Sequence, residues 1–170
     1  MALDGKTAIV TGGAGGIGYA IAERFLRHGV KVVIADLESE KGAQALADLE
    51  QLGDARFVKA DVSKRLDVHN LLAETIDAFG DVDILVNNAG IVHAADCLDL
   101  KAEDFNRVLA NNLKGTFLKG QAAAPPPPTF SPISRVTAWL LPPVPLRLAC
   151  FPRRNPSPSH HRRPAQSTSP

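Results

Sequence analysis

The chain has 170 residues, enough for one domain with a real interior, and a formal net charge of +1. That balance hides a split, because the part after Ala124 holds six arginines and no acid, leaving 13 basic against 18 acidic groups before it, a net of −5. Neither value fits dedicated nucleic-acid binding by the body, no stretch is long and apolar enough for a membrane span, and Cys97 and Cys150 show no metal-ligand spacing, so neither a metal site nor a disulfide framework is expected.

In chain order, residues 7–10 form a short apolar, β-branched run followed at once by glycines, then by Ile17, Ile21 and Phe25 at helical spacing: strand, tight turn, helix. Gly29 closes that helix, and residues 30–35 read as a strand buried on both faces. A helix over 38–52 follows, with Ala45, Leu46 and Leu49 inward, then a strand over 56–60. Ser63 is placed to cap a helix running to Phe79 with Leu71, Leu72 and Ile76 on its inner face, and residues 82–86 make a fourth strand. Phe105, Val108, Leu109, Leu113 and Phe117 mark a helix over 102–119. The β-α alternation predicts an α/β fold, a Rossmann-type doubly wound parallel sheet of about four strands.

All thirteen prolines lie after Ala124 and all thirteen glycines at or before Gly120. Residues 1–124 therefore read as the nucleotide-binding region. Residues 125–170, opening on Pro125 to Pro128, read as a disordered Pro/Arg/Ser-rich tail that cannot bury enough apolar surface to offset its ordering entropy. The chain opens into its first strand without a basic and apolar leader, which points to the cytoplasm.

The run Thr11-Gly12-Gly13-Ala14-Gly15-Gly16-Ile17-Gly18 sits between the first strand and first helix, the context in which a glycine pattern becomes a phosphate cradle. Gly12 permits the sharp exit from the strand, Gly16 lets backbone approach a pyrophosphate, and Gly18 allows close helix-to-sheet packing. Asp36 ends the second strand eighteen residues beyond Gly18, where its carboxylate can accept the hydroxyls of an adenosine ribose and repel a 2′-phosphate. With Leu37 and Glu38 after it and no basic residue in the glycine loop, NAD(H) is expected over NADP(H).

The spacing Thr-Gly-x-x-x-Gly-x-Gly, with Asn87-Asn88-Ala89-Gly90 ending the fourth strand, resembles the short-chain dehydrogenase/reductase family over residues 1 to about 123. The resemblance implies hydride transfer between a secondary alcohol or ketone and NAD. It implies that Asp61 and Val62 lie against the adenine ring, that Asn87, Ala89 and Gly90 stabilise the central sheet and line the nicotinamide-ribose side, and that Asn88 is cofactor-binding with Ala89 and Gly90. It implies further that Asn112 is the active-site asparagine of a proton relay and that the fifth helix pairs subunits in a homo-oligomer. The relay's serine and Tyr-x-x-x-Lys have no counterpart: the single tyrosine is Tyr19, in the first helix, and no lysine follows Lys119.

Catalysis by this chain is accordingly expected to be impaired. Ser131 and Ser134 read as solvated tail residues, His93 and Asp96 as members of a surface loop, and His160-His161 as part of a basic tail. With the later strands of the family missing, the edge of the fourth strand is expected to be bare. A tail translated out of frame accounts for its composition. The alternatives are a non-catalytic NAD-binding or regulatory module whose proline run docks a partner, and a basic tail that holds nucleic acid.

Overall fold

The computed structural model describes residues 3–124 and the strand Val136–Ala138. Four β-α units run β1 (Thr7–Thr11), α1 (Gly16–Leu26), β2 (Lys31–Asp36), α2 (Ser39–Leu49), β3 (Ala55–Lys59), α3 (Arg65–Phe79), β4 (Ile84–Val86) and α4 (Ala102–Leu109). A π-helical turn, Ala110–Lys114, carries α4 into α5 (Gly115–Ala123), and β5 is Val136–Ala138. The strands form one parallel sheet in the order β3-β2-β1-β4-β5, with Thr7 opposite Lys31, Val32 opposite Ala55 and Ala8 opposite Ile84. The chain thus has the doubly wound parallel architecture expected of it.

Side chains alternate across the pleat, and both faces are covered, which is why the strands read as continuous apolar runs. On one face Ala8, Val10, Val32 and Ile34 pack with Ala22 and Leu26 of α1 and Ala45 and Leu49 of α2. On the other, Ile9, Val33 and Leu85 pack with Val68, Leu71 and Leu72 of α3 and Leu118 of α5. Each such fully buried Val, Leu or Ile side chain contributes about 1.5–3 kcal/mol.

Four local expectations change. β5 pairs with β4, Ile84 opposite Val136, so the edge expected to be bare is covered; that partner comes from a short segment far along the chain, a non-local pairing that local pattern does not carry. Helix α3 begins at Arg65 after Lys64 and has no side-chain cap, because the Ser63 hydroxyl is bonded to Asp61 instead. Ile76 is exposed, and Thr75 takes the inner position with its hydroxyl donated to the Leu71 carbonyl. The helix expected over 102–119 runs on to Ala123 through the π turn, but its large apolar stripe (Phe105, Leu109, Leu113, Phe117) is half exposed, while Gly115, Thr116, Leu118 and Lys119 face inward. The calls of a disordered tail and of Ser131, Ser134 and His160-His161 as tail residues lie outside the described residues.

Candidate cofactor site

The carboxyl ends of β1 to β4 open into a cleft of about 340 Å³, the position where open parallel sheets bind ligands. Gly12, Asp36, Asp61, Val62, Asn88, Ala89 and Gly90 line it together. Thr11, Gly16, Ile17, Gly18 and Asn112 do not line it and act from behind or beside it.

Thr11 is the hub. Its buried hydroxyl donates to the Val86 carbonyl at 3.1 Å and receives the backbone N–H groups of Asn88 and Ala89, each at 3.2 Å. Asn88 returns the link: its side-chain amide donates to the carbonyls of Thr11 and Gly12 at 3.0 and 3.2 Å. The glycine loop and the Asn-Asn-Ala-Gly turn are thereby fixed to one another across 77 residues of sequence.

The glycines of the loop are required by space and by backbone. Gly12 has φ +67°, and a Cβ there would approach the Asn88 amide and the Ala89 backbone to 2.9 and 3.0 Å. A Cβ on Gly18 would overlap the Gly12 carbonyl oxygen. Gly16, at φ +54°, faces open space, and Ile17 beside it is exposed. Helix α1 starts there with no side-chain cap and no acid in its first turn, leaving its N–H groups and positive dipole end free for an anion.

Asp36 is held by both carboxylate oxygens. Oδ2 accepts from Ala14 N at 3.2 Å, and Oδ1 from Leu37 N at 2.8 Å and Glu38 N at 3.4 Å. Opposite, burial works to raise the Asp61 carboxyl, but hydrogen bonds from the Ser63 hydroxyl and backbone and the nearby Lys64 ammonium outweigh it and hold the group below its ordinary range. Val62 is buried against Gly115, where any Cβ would press on the Val62 carbonyl at 2.9 Å. An uncapped helix end, a glycine cradle and a fixed carboxylate suit a dinucleotide's pyrophosphate and ribose.

Asn112 points away from its own helix. Its Oδ1 accepts from Ile91 N at 2.9 Å and its Nδ2 donates to Ile91 O at 3.0 Å, clamping the loop after β4. Asn87 is 2% exposed, and neither polar atom of its side chain has a hydrogen-bond partner. In the loop, His93 lies 3.5 Å from Asp104, which also holds Arg107 at 3.1 Å. Among the described residues no group of three or more metal-ligating side chains occurs, and no helix is long and apolar enough to cross a membrane.

Residues 6–126 match the short chain dehydrogenase family. The chain belongs to that family. Among relatives of this short-chain dehydrogenase, an uncharacterized oxidoreductase of Thermotoga maritima is 41% identical over 117 residues, 68% of this chain and 46% of that protein. Sorbitol dehydrogenase of Cereibacter sphaeroides is 39% identical, covering 73% and 48%, and tropinone reductase-like 1 of Erythroxylum coca 44%, covering 71% and 45%. A solved double mutant of a Serratia marcescens short-chain dehydrogenase/reductase superposes with a TM-score of 0.69 at 30% identity, covering 72% of this chain and 51% of that one. The chain spans about half the length of the curated relatives it matches.

Short-chain dehydrogenases are oxidoreductases that use a nicotinamide dinucleotide, NAD or NADP, on small molecules. Sequence reasoning missed several members of this dehydrogenase's cleft, among them Lys41, Ile91 and Asn111. It also missed Lys119, which is fully buried and donates to the Thr11 hydroxyl at 3.3 Å; burial pulls its pKa from 10.5 down to about 8.

Proposed function

We propose that this chain is the dinucleotide-binding part of an NAD(H)-dependent oxidoreductase that interconverts a secondary alcohol and a ketone. The observation that carries the choice of NAD(H) is Asp36, whose two oxygens are fixed by Ala14, Leu37 and Glu38 at the mouth of the cleft. A carboxylate so placed accepts from the ribose hydroxyls and repels a 2′-phosphate. The loop from Gly12 to Gly18 and the start of α1 would hold the pyrophosphate, Asp61 and Val62 the adenine, and Asn88, Ala89 and Gly90 the nicotinamide ribose. When bound, the dinucleotide supplies or removes the hydride.

Asn112 is the one position of the proton relay retained, and here it orients the loop after β4 through Ile91. The exposed stripe of Leu109, Leu113 and Phe117 fits pairing with a second copy. Calorimetric titration of the full chain tests the reading: NAD+ should bind at least about tenfold tighter than NADP+, a gap that Asp36→Ser narrows. Equal affinities in the unaltered chain would sink it.

A second reading is favoured by one observation: the single tyrosine, Tyr19, lies on α1, and the last lysine, Lys119, is buried under the sheet. No Tyr-x-x-x-Lys stands in this sequence, so the chain binds the dinucleotide and turns over little or no substrate, with Pro125 to Pro128 as a docking segment. Dinucleotide binding together with alcohol oxidation above a boiled control would exclude this reading.

A further inference from the structure

Asp36 does not stand alone at the ribose end of the cleft. Glu38, immediately before α2, and Lys41, in its first turn, line the same cleft. Lys41 Nζ lies 2.8 Å from Glu38 Oε1, with the two side chains 66% and 59% exposed. Lys41 is the single basic side chain among the described residues lining the cleft. Its ammonium is stabilised first by the hydrogen bond to Glu38 and then by the charge of Glu38; desolvation opposes these, and the charge of Asp36 adds least.

We propose that Glu38 is a second cofactor-selectivity residue: it engages Lys41, a latent phosphate ligand, so that rejection of a ribose 2′-phosphate rests on Asp36 and Glu38 together. The proposal rests on the NAD(H) reading above and deepens it. A 2′-phosphate entering the cleft meets two carboxylates and an ammonium already paired with one of them. With Glu38 neutral, the same phosphate meets one carboxylate and a free ammonium with three donors on a flexible stem, the kind of point charge that suits phosphate.

The pair is well suited to this because it does little for the fold. An exposed i,i+3 ion pair shifts an equilibrium by no more than about fivefold. Gly42, Ala45 and Leu49 form the buried face of α2, whereas the side chains of the pair are exposed. Replacement of Glu38 therefore changes the charge at the ribose without disturbing the helix that presents it.

The test is titration calorimetry of the full chain with NAD+ and NADP+ for the unaltered protein, Glu38→Gln, Lys41→Gln and the double variant. Glu38→Gln should raise NADP+ affinity about fivefold, with NAD+ affinity held within about twofold. The gain should shrink as salt is added and vanish in the double variant. NAD+ binding with an unchanged NAD+/NADP+ ratio in Glu38→Gln overturns this proposal alone, as does a gain that survives Lys41→Gln. Failure of the unaltered chain to bind either dinucleotide overturns both this proposal and the NAD(H) reading.

Discussion

Replacing Lys119 with methionine should make the protein more stable at neutral pH. The ammonium is fully buried, its hydrogen bond to Thr11 is long at 3.3 Å, and Thr11 already serves Val86, Asn88 and Ala89. Burial lowers the lysine's pKa from 10.5 to about 8, and each unit corresponds to about 1.4 kcal/mol, so folding loses about 3 kcal/mol wherever the unfolded chain keeps the proton. The sign follows from proton counts. Below pH 8 both states are protonated and the full penalty applies. Between pH 8 and 10.5 the unfolded chain binds more protons, so stability rises with pH, and above 10.5 the penalty is gone. Urea unfolding of both proteins should show Lys119→Met more stable by about 3 kcal/mol at pH 7, the gap falling to roughly half by pH 9.5. A variant less stable than the parent at pH 7, or a gap that does not move with pH, would refute the reasoning.

Thr11→Val removes the shared acceptor of Asn88 N, Ala89 N and Lys119 Nζ and should cost about 3 kcal/mol in urea unfolding, with Thr11→Ser largely restoring it. A loss below about 1 kcal/mol would mean that the hydroxyl is not a hub. Gly18→Ala forces a methyl into the Gly12 carbonyl and should weaken NAD+ binding more than tenfold. Gly16→Ala, with open space but a left-handed backbone, should lose only about 1 kcal/mol of stability. NAD+ affinity unchanged in Gly18→Ala by calorimetry would contradict the steric account. Asn112→Ala frees both backbone groups of Ile91 and should cost about 1–2 kcal/mol while raising amide exchange at Ile91; unchanged exchange would place the clamp elsewhere.

Much of the fold was legible because its determinants are local. The strand from Thr7, the glycine loop and Asp36 each announce themselves within a few residues, and the geometry assembles Gly12, Asp36, Asp61, Val62 and Asn88 to Gly90 around one cleft. What escaped was non-local or depended on which face of a helix turns inward. Lys41 reaches the cleft through the direction in which α2 starts, which composition does not encode. Lys119 was hidden by the opposite error: the large apolar stripe on the same helix looked like the buried face, yet small residues, Gly115 and Thr116, allow the close approach to Val62 and β4 that turns the lysine inward. Ser63 carries a capping residue's chemistry, but the neighbouring Asp61 carboxylate claims its hydroxyl.

Among the described residues, every one that lines the cleft falls between Gly12 and Asn111. The described lining of the cleft is therefore contiguous in sequence, about a hundred residues in all. If the proposed roles of Asp36, Glu38 and Lys41 hold, a chimera that grafts this stretch onto the second half of a relative should carry this chain's choice of dinucleotide with it.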